Sequence, residues 1–322
     1  MNLNSTHIIS FCKGVFHGNS TEFTASHISI DSRSLQNGNN TLFFAIKGQN
    51  HDAHLYLEEL IAKGVRYFVV EYIPEHLYEK ANFIIVENSL KALQQTAIGY
   101  RKQFDFPFVG ITGSNGKTIV KEWLNFLLSP NHLIVRNPKS YNSQVGVPLS
   151  ILAIEGNYDL GIFEAGISLP NEMSNLEQII QPKYGILTNI GSVHDEGFAN
   201  RESKIKEKVQ LFENCSDIFL EKNAEIEVLL PENSQKHTWS FSDESANLFV
   251  SKKNENGKTE LTFKNATNTF SVTIPFSDEN SIENFVGPNF NHGHQSIPLC
   301  LVLLAVLSGL VRKRCGGKFG SV

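Results

Sequence analysis

The rhythm of apolar and polar positions changes several times along the chain. Over residues 1–103, short runs rich in branched and aromatic residues, at 28–30, 42–46, 67–70 and 83–86, alternate with stretches of helical periodicity. One such stretch, 55–63, is stopped by Gly64, and a second, 89–103, has Ser89 as its expected N-cap. The pattern predicts a small α/β unit, closed by the linker Asp105-Phe106-Pro107.

From Phe108 the pattern becomes apolar strand, Gly-rich turn and helix, and then repeats, with further strands expected at 134–136, 160–163, 184–187 and 218–220. Strands and helices in alternation predict a mostly parallel sheet with crossover helices. The runs 238–241, 248–251, 259–263 and 269–274 are separated by Asn, Gly and Lys turns instead, which predicts an antiparallel β appendage. After Val286 comes a His/Asn-rich stretch, then a mostly apolar run at 297–311 and Arg312-Lys313-Arg314. That run is shorter than the roughly 20 residues needed to cross a bilayer, so no membrane insertion is expected. The expected organisation is an N-terminal α/β domain over 1–103, a central domain over 104–286 and an unassigned tail over 287–322.

Composition narrows the function. A hydrophobic fraction of 41% and a charged fraction of 19% are those of a globular chain. The net charge of -5, with Arg312-Lys313-Arg314 as the sole basic block, argues against nucleic acid as a partner, so any anionic ligand must be held locally. The four cysteines, Cys12, Cys215, Cys300 and Cys315, form no Cys-x-x-Cys pair, which suggests neither a disulfide framework nor a zinc site. With no apolar core behind a basic start in the first thirty residues, a cytoplasmic protein is expected, and a monomer.

The segment Phe108-Val109-Gly110-Ile111-Thr112-Gly113-Ser114-Asn115-Gly116-Lys117-Thr118 puts an apolar strand, a Gly-rich turn and a helix start in the order a phosphate cradle requires. Lys117 is placed to neutralise β- and γ-phosphates, and the Thr118 hydroxyl to bind Mg2+, a hard cation that takes oxygen ligands. The common form of this loop has a glycine where Ile111 stands; here the extra glycine is Gly113. Downstream, Glu164 closes the strand Leu160-Gly161-Ile162-Phe163 and is followed by Ala165-Gly166, where open α/β sheets hold their ligands. His194 follows the next strand end and offers an imidazole for a second Mg2+ or its water shell. A capping carboxylate and a lone surface histidine are the plainer readings of these two. Lys204, Lys206 and Lys208 lie on the following helix, where a solvated basic face is the ordinary expectation.

Taken together, Gly110-Ile111-Thr112-Gly113-Ser114-Asn115-Gly116-Lys117-Thr118, Phe163-Glu164-Ala165-Gly166 and Thr188-Asn189-Ile190-Gly191-Ser192-Val193-His194 resemble the Mur ligase family, whose own loop has this glycine spacing. Asn142-Ser143-Gln144-Val145-Gly146-Val147-Pro148-Leu149, Lys121-Glu122, Asp31-Ser32-Arg33 and Leu42-Phe43-Phe44-Ala45-Ile46-Lys47-Gly48 look most like the members that add D-alanyl-D-alanine to UDP-N-acetylmuramoyl-tripeptide. The resemblance runs from about residue 28 to 284.

The resemblance implies a ligase that uses ATP and Mg2+ to phosphorylate the tripeptide carboxylate. The resulting acyl phosphate is then attacked by the amine of D-alanyl-D-alanine. It implies that residues 112–118, with Asn142 and Asn284, contact ATP, and that Lys117, His194 and Lys208 serve catalysis. It implies Thr118, Glu164 and His194 as metal positions, joined by Lys208 once carbamylated. It places Ser32, Arg33 and Lys47 at the UDP end of the substrate, where a planar, permanently charged donor such as Arg33 suits a diphosphate or uracil. Gln144 competes with Asn142 for the phosphate contact.

Asn280-Ser281-Ile282-Glu283-Asn284 keeps only the last asparagine of the family's adenine segment. Beyond it, neither the rest of the central sheet nor the family's third domain is recognisable, as expected of a truncated chain. Three rivals stay open: a Mur or folate-type ligase with another amine substrate, a non-catalytic nucleotide-binding fragment, and a P-loop phosphotransferase.

Overall fold

The computed structural model describes residues 3–33, 35, 38–48, 50–191, 198, 200–255, 258–266 and 269–274. The chain forms two compact units: residues 1–105 with 141–157 and 178–180, and the remainder from Phe106 onwards.

In the first unit the chain runs through β1 (Leu3–Asn4), α1 (Ser5–Cys12), β2 (Val15–His17), β3 (Thr24–Ala25), β4 (His27–Ser29) and β5 (Thr41–Phe44). A 3-10 turn at Ala53–Tyr56 leads into α2 (Leu57–Ala62), then β6 (Tyr67–Val70), β7 (Asn82–Ile85) and α3 (Ser89–Arg101). The five-stranded sheet has the order β2-β7-β6-β5-β4. β4 to β7 are parallel and β2 is antiparallel at the edge. Apolar runs mark these strands because helices cover them: Phe43, Phe68 and Phe83 are fully buried and pack ring on ring at 6.2 and 5.5 Å.

The N-cap of α3 is Asn88, one residue before the expected Ser89; its side chain accepts the Lys91 N–H at 2.8 Å. Ser89 is buried instead and donates through both N and Oγ to Glu71. Asp52 and His54 add a second tie at this end of the sheet. The buried His54 ring accepts the Glu71 N–H at Nε2, 2.9 Å away, so its proton lies on Nδ1, 2.6 Å from Asp52 Oδ1.

The second unit starts with β8 (Phe108–Thr112), α4 (Lys117–Leu128) and β9 (Ile134–Arg136); the next helix, α5 (Gly146–Leu152), belongs to the first unit. It continues with β10 (Leu160–Glu164), α6 (Met173–Ile180), β11 (Tyr184–Leu187), α7 (Arg201–Val209), β12 (Asp217–Glu221) and α8 (Ala224–Glu227). The strands β13 (Gln235–Ser240), β14 (Leu248–Glu255), β15 (Lys258–Lys264) and β16 (Thr269–Ile274) follow. All pair into one nine-stranded sheet of order β16-β15-β14-β13-β12-β11-β8-β10-β9. α4 presents Val120, Leu124 and Leu128, one per turn, to Val109, Ile111, Ile162 and Ile186 of the sheet.

The appendage expected over 238–274 is antiparallel from β14 to β16, whereas β13 and the start of β14 continue the parallel pairing. The two parts are one continuous sheet, which alternation in the sequence alone does not distinguish. Strand β8 lies between β10 and β11, so connections leave it in both directions and the order reverses there. That reversal opens a crevice at the carboxyl ends of β8, β10 and β11, the place where such sheets take their ligands.

Candidate nucleotide and metal site

Three strand ends converge at this crevice. β8 runs into the loop Gly113 to Gly116, β10 ends at Glu164, and β11 leads to Thr188, Asn189 and Gly191. Gly113 has φ +145° and Gly116 +80°, so both adopt backbone conformations that side chains rarely reach. A Cβ on Gly113 would lie 2.0 Å from Thr188 Oγ1. The close approach has a use: Thr188 Oγ1 donates to the Asn115 carbonyl at 2.5 Å, and the Asn189 carbonyl and Oδ1 accept the N–H groups of Ser114 and Asn115 at 2.8 and 3.0 Å. Ser114 Oγ takes the Gly191 N–H at 2.9 Å. Thr112, fully buried, donates through Oγ1 to the Ala165 carbonyl at 3.0 Å and fixes β8 against the residue after Glu164.

Among the described residues, the N–H groups of Gly116, Lys117 and Thr118 have no hydrogen-bond partner; they open α4 at its positive end, the geometry that receives an anion. Lys117 Nζ donates to the carbonyls of Gly113 and Ser114 at 2.9 and 3.2 Å. Burial, and then the Lys204 ammonium, hold its pKa below the ordinary lysine value, against the opposing pull of Glu164.

Thr118 and Glu164 meet below the loop. The Thr118 hydroxyl donates to Glu164 Oε2 at 2.7 Å; Glu164 is fully buried and its Oε1 has no hydrogen-bond partner. Burial raises the carboxyl pKa, while the Thr118 hydrogen bond and the charges of Lys121 and Lys117 oppose the rise. An orphaned buried carboxylate oxygen beside a hydroxyl is the donor set a hard divalent cation prefers, so these residues fit Mg2+. No group of three His, Cys, Asp or Glu side chains gathers among the described residues.

Lys208 is buried and donates to the Gly113 carbonyl at 3.1 Å, beside Lys117. Burial, reinforced by Lys117 and Lys204, lowers its pKa to about 7. The solvated basic face expected of α7 is therefore divided: Lys204 and Lys208, four residues apart, are buried, and Lys206 is exposed and paired with Glu202 at 2.6 Å. His194 and Asn284 lie outside the described residues.

The remaining candidates lie in the first unit. Ser32 and Arg33 follow β4 and Lys47 follows β5; these strands are parallel neighbours, so both segments leave the same edge of the sheet. Arg33 is exposed and pairs twice with Asp31, at 3.0 and 3.2 Å, holding that carboxyl below its usual range. Ser32 is buried and its carbonyl accepts Lys63 Nζ at 3.1 Å, while Lys47 is exposed and bridges to Asp52 through the backbone. Asn142 is half-buried ahead of α5; of the two candidates there, Gln144 is the one bound by Gln94 Nε2, at 3.2 and 3.1 Å.

Sequence reasoning did not single out Asn137, and it quoted Lys121 and Asn189 only as parts of motifs. All three support this crevice through contacts with residues distant in sequence, which spacing does not reveal.

The model of the Mur ligase middle domain matches residues 111–287. UDP-N-acetylmuramoyl-tripeptide--D-alanyl-D-alanine ligase of Borreliella burgdorferi is 34% identical over 210 residues, covering 62% of this chain and 45% of that protein. The chain spans about half the length of the curated relatives it matches. The crystal structure of MurF from Acinetobacter baumannii superposes with a TM-score of 0.80 at 20% identity, covering all of this chain and 69% of the other. That of MurF ligase from Thermotoga maritima in complex with ADP gives 0.71 at 23% identity, covering 88% and 63%. At these identities the structural likeness establishes the fold. With the middle-domain match extending over more than half of its 322 residues, the chain belongs to the Mur ligase family.

Proposed function

We propose that this chain serves ATP-dependent amide-bond formation in peptidoglycan precursor synthesis, joining D-alanyl-D-alanine to UDP-N-acetylmuramoyl-tripeptide. The observation that carries the reading is the buried Glu164 carboxylate, which accepts the Thr118 hydroxyl and leaves Oε1 without a hydrogen bond, at the start of the helix opened by the Gly116, Lys117 and Thr118 amides. The names of the curated relatives and the ADP bound by the Thermotoga maritima ligase support the choice of substrates and nucleotide.

In this reading a carboxylate oxygen of the tripeptide attacks the γ-phosphorus of ATP and the bond to the β,γ-bridging oxygen breaks, giving an acyl phosphate and ADP. The amine of D-alanyl-D-alanine then attacks the acyl carbon, loses a proton, and phosphate leaves. The N–H groups of Gly116, Lys117 and Thr118 orient the phosphates, and Lys117 exchanges its two loop carbonyls for phosphate oxygens as negative charge gathers there. Thr118 and Glu164, with His194, are the residues that would hold Mg2+, which when bound offsets the charge of the phosphoryl group in transfer.

Lys208, with its lowered pKa, presents an unprotonated amine whose nitrogen adds to the carbon of CO2 and releases a proton to solvent; the carbamate so formed supplies an anionic oxygen ligand. NMR with isotopically labelled bicarbonate tests this, and a carbamate signal unchanged in Lys208→Arg would count against it. Asn142 and Asn284 are assigned to the nucleotide, and Ser32, Arg33 and Lys47 to the UDP group.

The function is tested by phosphate release from ATP and Mg2+ with UDP-N-acetylmuramoyl-tripeptide present and D-alanyl-D-alanine added or withheld. Release that requires both supports the ligase. Equal release without either substrate, or none with both, refutes it.

A further inference from the structure

Asn137, in the turn after β9, is fully buried with its side-chain amide engaged: Nδ2 donates to the Glu164 carbonyl and Oδ1 accepts the Glu164 N–H, each at 3.1 Å. Backbone pairing of β9 with β10 stops at Arg136 opposite Ile162, so this amide acts as a surrogate peptide group that carries the ladder on to Glu164. On its other side Glu164 is registered against Ile111 of β8.

The Asn137 carbonyl in turn accepts Lys121 Nζ at 2.8 Å, and the same ammonium bonds the Lys139 carbonyl. Lys121 is fully buried, lies three residues after Thr118 on α4, and stands 3.8 Å from Glu164 Oε1. The contacts close a ring: from the Glu164 backbone through Asn137 and Lys121 to α4, and from Thr118 back to the Glu164 carboxylate. Turn asparagines commonly satisfy nearby backbone groups and do nothing more. Here the two backbone groups belong to the residue whose own carboxylate oxygen Oε1 is buried without a hydrogen bond.

We propose that Asn137 is a positioning residue, braced by Lys121, that holds the Glu164 carboxylate in place for the divalent cation of a bound nucleotide. This rests on the reading of Thr118 and Glu164 as cation ligands. Groups that orient metal ligands are worth about 10- to 100-fold in metal affinity, because a ligand free to rotate or shift loses its aim.

The test is calorimetric titration of the full chain with ADP, with and without Mg2+, for wild type, Asn137→Ala, Asn137→Ser and Glu164→Gln. Serine leaves room for water at the two Glu164 backbone groups and gives a folded comparison should alanine fail to fold. The expected result is that Mg2+ tightens ADP binding to the wild type. Either Asn137 variant should lose about tenfold or more of that gain, with binding of metal-free ADP unchanged. A metal-free affinity that falls in step would show a merely structural role and overturn the proposal, as would a full Mg2+ gain in a folded Asn137 variant. If the wild type shows no Mg2+ gain, or Glu164→Gln keeps it, the reading of the cation site fails first and the proposal falls with it.

Discussion

Glu164 receives the Thr118 hydroxyl on Oε2 at 2.7 Å, while Oε1, equally buried, looks towards the Lys121 ammonium 3.8 Å away. The hydroxyl is thus one of the few groups that keep a buried carboxylate tolerable. Thr118→Val removes the donor and leaves its partner in place, which should cost about 1–3 kcal/mol of stability in urea denaturation and abolish the Mg2+-dependent part of ADP binding. Thr118→Ser should restore both. A valine variant that keeps its Mg2+ dependence would remove Thr118 from the site.

Gly113→Ala should destabilise the second unit. Its Cβ would lie 2.0 Å from Thr188 Oγ1 at φ +145°, so the loop or the strand end must move. The strain is about 1–3 kcal/mol, read as a lower urea midpoint with an unchanged slope, and nucleotide binding should weaken with it. An alanine variant as stable as the wild type would show that the loop is not held as described.

Lys208 gives a pH dependence of known sign. Its folded pKa is lowered to about 7, while an unfolded lysine holds its proton to about 10.4. Between these values the unfolded chain binds more protons, so stability rises with pH across that window; at lower pH the full cost of a buried ammonium is present. Lys208→Met, in buffer free of CO2, should flatten the rise and be the more stable protein near pH 6, by on the order of a few kcal/mol. A parallel pH profile for the two proteins would contradict the assignment.

In the first unit, His54→Leu should cost about 1–3 kcal/mol. It strands the Glu71 N–H and takes one donor from the Asp52 carboxylate, which keeps the backbone N–H of residue 54 and the Tyr72 hydroxyl, at the edge from which Ser32, Arg33 and Lys47 emerge. Urea denaturation checks this, and a loss well under 1 kcal/mol would mean that water replaces the ring.

Strands β5, β6, β8, β10 and β11 were legible because both faces are covered, which leaves nearly unbroken apolar runs. The short pieces at Leu3–Asn4, Val15–His17 and Thr24–Ala25 carry too few residues to show a period. In the candidate site, Lys117, Thr118 and Glu164 could be read from order along the chain, because a strand, a turn and a helix start each leave a local mark. Lys121 reads as an ordinary helix lysine beside Glu122, and its burial follows from the strand end it packs against. Asn137 and Asn189 act on residues 27 and 74 positions away. Only the paired fold reveals such partners.

The ties between Ser114, Asn115 and the segment from Thr188 to Gly191 have a thermodynamic consequence. A glycine-rich loop left free would have to be ordered by its ligand, at about 0.5–1.5 kcal/mol for each immobilised side chain. Here folding has already ordered it, so a phosphate group meets a receptor with little conformational entropy left to lose. The same ties reserve the Ser114 and Asn115 amides for Asn189. A phosphate bound in the proposed site would therefore meet the three amides at the start of α4, the helix whose Thr118 holds the Glu164 carboxylate.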